Sequence, residues 1–276
     1  MVKRSRIDPC PCGSGRRKRV CHPNIKSADE LSGAFFDAKT GNIIGVRNNI
    51  LLNQIYRDPI SITRSFDVIA RKDLEQLSSV YADITYALLC YKKKHVEGDQ
   101  GIIPTCAKIF TSTLQTVSAS IQVARHGYTI EYGNLSRSIV EALSVIIQLI
   151  GDDEALGKFH NGKLKSPDSV SYAKKKFEVL GPLYGHLSKY FVHIGPAHAQ
   201  ERIAKCYLDG DEDIKFIVEN LRATTFLVYI VCELVFFDEI KSPRFWEKIS
   251  ELEYKSKECE NSRIWKEKIL GINIGL

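Results

Sequence analysis

Residues 9–23 read PCPCGSGRRKRVCHP, and this stretch constrains the chain more than any other. Three thiols and one imidazole, those of Cys10, Cys12, Cys21 and His22, fall within thirteen residues. Structural zinc takes a closed tetrahedral shell of thiolate and imidazole ligands, and three cysteines with one histidine form one of its standard sets. Cys10-Pro11-Cys12 puts two thiols on one extended tripeptide. Gly13, Ser14 and Gly15 permit the tight reversal that brings Cys21 and His22 back. The same residues also admit two plainer readings: free thiols in a basic tail, or a disulfide framework.

The pattern C-x-C, a GSG turn, a basic run and a closing C-H pair resembles the SEC-C motif. This is the zinc-binding tail of the SecA translocation ATPase, reused on many unrelated bacterial proteins. The resemblance covers about the first 25 residues. It implies that Cys10, Cys12, Cys21 and His22 are the four ligands of one Zn2+ with no open position, so that the metal is structural. A segment this short has too little apolar surface to fold without that metal. In SecA the tail docks on a chaperone and the ribosome. The resemblance implies a docking role here and leaves the partner open.

Charge singles out the same region. The chain has 39 basic and 33 acidic residues; residues 1–25 hold seven of the first kind and one of the second, which leaves 32 of each in the rest. The seven are Lys3, Arg4, Arg6, Arg16, Arg17, Lys18 and Arg19, against Asp8. A compact cationic head on a neutral body favours anionic partners: RNA, a ribosomal surface or an acidic protein face. No aromatic residue lies in residues 1–25, so contact with nucleic acid would run through phosphates and be blind to sequence.

No apolar stretch comes after the first residues Met1-Val2-Lys3-Arg4, and eight cysteines without an export signal fit reduced thiols in a bacterial cytoplasm. The apolar run 223–237 is short for a membrane span and reads as a buried helix. Cys90, Cys106, Cys206 and Cys232 are expected to be small core residues and Cys259 to be exposed.

Residues 26–276 read as one all-α bundle or array, so the chain divides into a zinc module at 1–25 and a helical domain at 26–276. The S-x-x-E signal at 27–30 predicts a capped helix over 27–39. Apolar residues recur near a 3.6 period from about 61 to 94, then over 105–126, 131–150, 169–180, 183–194 and 211–239. Residues 244–257 and 261–270 are expected to form a last amphipathic pair. No sustained alternation of period two is visible.

Two blocks could carry chemistry. In NLSRSIVEAL, Arg137, Glu141, Ser144 and Gln148 fall on one stripe of an otherwise apolar helix. In LYGHLSKYFVHIGP, His186 and His193 share a face with Lys189 and Tyr190. Together the blocks resemble a bacterial helical family of unknown function, with R-x-x-x-E on one helix and S-x-x-x-x-H on another. That resemblance implies that Arg137, Glu141, Ser188 and His193 meet across a helix interface as a polar cluster. The cluster would lock the bundle or bind an anion.

The leading functional expectation is a zinc-binding adaptor whose basic head docks on an anionic partner while the body carries a second binding or effector surface. The alternative is a metal-independent ribonuclease of the HEPN type, an effector of bacterial conflict, with Arg137, Glu141 and His193 as its site. The mark of that class is R-x4-6-H, with Arg on a phosphate and His moving a proton. The helical body lacks that spacing; only Arg16 or Arg17 to His22 has it, inside the zinc motif. A second metal site from His160, His186, His193 and His198 is a weaker expectation still.

The zinc reading predicts one zinc per chain in the purified protein, measured by elemental analysis, with Cys10→Ser and Cys21→Ser reducing it severalfold. A zinc-free preparation that chelator leaves unchanged contradicts it.

Overall fold

A computed structural model of the chain describes residues 31–95, 100–195, 198–199, 204–250 and 253–271. The expected zinc ligands Cys10, Cys12, Cys21 and His22, and the basic residues Lys3, Arg4, Arg6, Arg16, Arg17, Lys18 and Arg19, lie outside the described residues.

The described body is mostly helical, with two small antiparallel hairpins. The first corrects the helix expected over 27–39. Strand β1 (Leu31–Asp37) pairs with β2 (Asn42–Arg47), Phe35 facing Ile44 and Phe36 facing Ile43. The turn explains why. The Asp37 carboxylate accepts from Lys39 N at 3.0 Å and Thr40 Oγ1 at 2.6 Å, and Gly41 N donates to Asp37 O at 2.8 Å. Those bonds hold the Asp37 carboxyl below its ordinary range, the Thr40 bond most of all. Gly41 supplies the left-handed φ of 68° that closes the reversal.

Helix α1 (Ile50–Tyr56) leads into α2 (Pro59–Lys94), whose 36 residues span about 54 Å. Pro59 sits at its first position, where no N–H partner is needed. Its buried stripe includes Ile62, Phe66, Ala70, Leu77, Val80 and Ile84, the period read from the sequence. Helices α3 (Ile102–Arg125) and α4 (Thr129–Gly151) form an antiparallel hairpin through Gly127, at φ 86°.

Short helices α5 (Ala155–His160), α6 (Ser166–Ala173) and α7 (Leu180–Leu187) come next, and α7 runs into a π turn, Ser188–Val192. The expected helix over 169–180 therefore stops early. Pro182 lies in the first turn of α7, where the N–H groups are unpaired anyway. Helix α8 (Glu212–Val235) ends in a 3-10 turn, Phe237–Glu239.

The second hairpin, β3 (Trp246–Lys248) with β4 (Tyr254–Ser256), replaces the helix expected over 244–257. Fully buried Glu233 on α8 accepts from Phe245 N at 2.7 Å and Trp246 N at 3.0 Å through one carboxylate oxygen. Trp246 Nε1 donates to Ile230 O at 2.9 Å. These tertiary bonds hold the backbone extended against its local pattern. Helix α9 (Glu260–Leu270) closes at Gly271, in the left-handed region. Arg222 of α8 donates to Asp73 at 2.8 Å and to the Ile269 carbonyl at 2.6 Å, so one guanidinium ties α2, α8 and the end of α9 together.

Helix α4 is the hub: it packs against α3, α5, α6, α7, the π turn and α8. It is also long and apolar enough by composition to cross a membrane, and 56% of its most apolar window is buried inside the body. A smaller core around Phe66, Ala124, Tyr132, Tyr207 and Ile217 joins the start of α2 to α4 and α8. Among the cysteines, Cys106 and Cys232 are buried as expected, whereas Cys206 is exposed and Cys90 and Cys259 are half-buried.

Burial pushes the phenols of Tyr132, Tyr207 and Tyr229 well above the ordinary 10.0 and the Cys106 thiol up to about 12 from 9.0. Each fold-raised acid keeps its proton longer in the native state than in the unfolded one. Its contribution is therefore complete below the unfolded pKa and is lost as pH rises toward the folded one. Urea midpoints should stay level to about pH 9 and fall through pH 10 and above. A midpoint that rises over that range contradicts the burial of these groups.

Candidate functional site

The polar stripe on α4 resolves into separate local arrangements. Ser144 is buried and donates to the Val140 carbonyl of its own helix at 2.8 Å. Gln148 donates to Asp152 at 3.1 Å, and this bond is the main reason the Asp152 carboxyl is held below its usual range. Arg137 and Glu141, one turn apart, form an ion pair at 2.9 Å with 22% of each side chain exposed.

A third residue completes that pair. The Arg137 Nη2 donates to the Tyr184 hydroxyl at 2.8 Å, and the hydroxyl donates to Glu141 Oε1 at 3.3 Å. The guanidinium also lies over the Tyr184 ring, 5.0 Å from its centroid. Arginine, tyrosine and glutamate thus close a charge-neutral triangle across the α4–α7 interface. An exposed i, i+4 ion pair contributes only a few tenths of a kcal/mol. Half-buried and bonded to a phenol, this one is better placed to fix how the two helices meet.

Ser188 and His193 also stand in a defined relation. His193 N donates to Ser188 O at 3.0 Å, the i to i+5 bond of a π turn. The five-residue spacing of S-x-x-x-x-H is the spacing of that bond. The extra residue lets Phe191 lie directly on α4 at Gly133, where a Cβ would run into the ring and lie 2.7 Å from the Phe191 Cβ. Contacts Gly133–Phe191 and Arg137–Tyr184 show that α7 with its π turn runs antiparallel to α4, with Ser188 between the two. Ser188 is buried and its Oγ has no protein partner; the same holds for Arg137 Nε. His193 lies at the exposed end of the turn, whereas the bonds of Arg137 and Glu141 run to each other and to Tyr184.

The remaining histidines serve separate local contacts. His186 packs beside Tyr190 and Phe216, His160 Nε2 lies 3.2 Å from the Gln100 carbonyl, and His198 Nε2 lies 3.3 Å from the Phe191 carbonyl. Among the described residues no three His, Cys, Asp or Glu side chains are grouped to hold a metal ion. Nothing in the sequence alone singles out Tyr184 or Gly133. Their spacing to Ser188 and Arg137, four residues on one helix in each case, is a signal only once the helices are known to face one another.

In comparisons with known proteins, no family model, no curated protein and no solved structure matches the chain.

Gly133→Ala should destabilise the protein by about 1–3 kcal/mol, although alanine is the better helix former by about 1 kcal/mol. Urea denaturation measures it. A variant more stable than the parent contradicts the packing of Phe191 on α4.

Proposed function

We propose that the chain is an adaptor. A zinc-folded basic head, residues 1–25, docks on an anionic macromolecule such as RNA or a ribosomal surface in the cytoplasm, and the helical body carries a second binding or effector surface. The observation that carries this reading is the ligand spacing of Cys10, Cys12, Cys21 and His22 with Arg16, Arg17, Lys18 and Arg19 between the ligand pairs. The donor set suits Zn2+, and bound zinc would fold the loop that presents the four cations. Zinc here supplies cross-linking only; phosphate binding falls to the chain's own guanidinium and ammonium groups.

The body supports this assignment by its neutrality. Its basic and acidic residues balance, and the candidate cation Arg137 is already engaged by Glu141 and Tyr184. An arginine held by a carboxylate is a poor receptor for a phosphate. The second reading, a HEPN-type ribonuclease using Arg137, Glu141 and His193, draws support from one observation. Turns of the π type recur at functional sites, and this one leaves Ser188 Oγ and Arg137 Nε buried without protein partners.

Single-stranded RNA binding by the full chain, titrated against salt, separates the two. Replacing Arg16, Arg17, Lys18 and Arg19 with Gln should make the slope of log K against log salt shallower by up to about 3. His193→Ala should change neither affinity nor RNA integrity. RNA cleavage by the parent that His193→Ala abolishes overturns the adaptor in favour of the nuclease.

A further inference from the structure

Helices α2 and α8 lie side by side and in step. Arg222 donates to Asp73 at 2.8 Å, and farther along both helices Cys232 Sγ donates to Ile84 O at 3.9 Å. The two helices therefore run parallel. Val218 and Ile69 each precede that ion pair by one turn, so they stand at one level of the seam. Both are half-buried and pack against the smaller core. Helix α9 bridges the seam beyond them. Its Trp265 ring lies 4.5 Å from the Tyr229 ring, while Gln76 and Arg222 bind the carbonyls of Lys268 and Ile269. So α9 runs antiparallel to α8 and points along the seam toward Ile69 and Val218. It closes just short of them at Gly271, where φ is 69° and a Cβ would lie 3.4 Å from the Arg222 guanidinium. At the far end of the seam Tyr207 N donates to Ser65 Oγ at 2.9 Å, and the next residue, Leu208, is 66% exposed.

We propose that residues 272–276, Ile-Asn-Ile-Gly-Leu, continue past Gly271 as an extended strap along this seam and close the outer side of the smaller core. Three observations select this segment. It begins at the seam, because Gly271 sits against Arg222. Its reach fits: five extended residues span about 17 Å, and α8 rises about 15 Å between Glu212 and Arg222. Its chemistry fits as well. Ile272, Ile274 and Leu276 alternate with Asn273 and Gly275, so an extended backbone turns all three apolar side chains to one face. Of the segments longer than two residues outside the described ones, it alone carries no charge. Residues 1–25 bring seven basic residues. Residues 200–203 hold Glu201 and Arg202 and join at Ala204, which meets Gly127 beside Ile62, at the opposite end of the seam. Ile272 and Ile274 cover Ile69 and Val218, and Leu276 reaches toward Leu208. The Arg222–Asp73 pair is then less open to water, which strengthens its attraction. The strap thus helps to hold the register of α2 against α8, independently of the docking role of the head.

Methyl NMR on the full-length chain, with isoleucine, leucine and valine labelled, tests it. The parent should show cross-peaks from the Ile272 or Ile274 methyls to those of Ile69 and Val218. I272S/I274S/L276S should keep its helical circular dichroism, unfold at lower urea and exchange its 214–222 amides roughly tenfold faster. A parent without those cross-peaks overturns the inference. Cross-peaks from the segment to Ile43 or Ile44 also overturn it, because the segment then covers the first hairpin. So does a serine variant that is as stable and as slow to exchange as the parent. Should that variant fail to fold, the cross-peaks of the parent still decide.

Discussion

Helix α4 holds two opposite charges at a packed helix interface, and that constraint shapes the body around it. Six other elements lean on the helix, and 12 of its 23 residues are buried. Charges at such an interface are tolerated where they neutralise one another, because burying an isolated ion costs several kcal/mol. Arg137 and Glu141 meet that condition by pairing one turn apart and by sharing the Tyr184 hydroxyl. The triangle has one geometry. Sliding α7 along α4 by a turn would strand the guanidinium, and Gly133 admits Phe191 at only one height. Polar and steric constraints therefore select the same register, and the π turn is the local adjustment that satisfies both.

This division of labour bears on function. Charge held inside the body is balanced and engaged. The excess charge of the chain lies in its first 25 residues, interleaved with Cys10, Cys12, Cys21 and His22. The adaptor proposed above would meet an anionic partner through the head and use the helical body as a platform. The hairpin β1–β2 offers apolar surface in place of charge.

Much of the body is legible from periodicity. Helices α2, α3, α4 and α8 each carry enough turns for the 3.6 repeat to outweigh local noise, and their ends fall within a few residues of those expected. The failures have physical causes. The S-x-x-E signal at 27–30 points to a helix, but the Asp37 to Gly41 turn and the β-branched residues of β2 make residues 31–47 a hairpin. Residues 244–257 have a helical pattern, yet a buried carboxylate on a distant helix captures their amides. Proline at 182, a residue that breaks helix interiors, is tolerated in the first turn of α7. In the polar cluster, Arg137 and Glu141 are visible as i, i+4 neighbours. Tyr184 is not, because nothing local tells which residue of α7 will face them. The spacing of Ser188 and His193 is visible as a pattern, and its cause, a single π hydrogen bond, only in three dimensions.

If the triangle sets the register of the hub helix, its two charges must depend on one another. A double-mutant cycle of Arg137→Met and Glu141→Leu, read by urea denaturation, measures that dependence directly. Each single change should cost about 1–3 kcal/mol by leaving a half-buried charge unpaired, and the double change clearly less than the two together. Costs that simply add, or single changes that leave stability untouched, would contradict a packing lock and leave Arg137 free to bind a ligand.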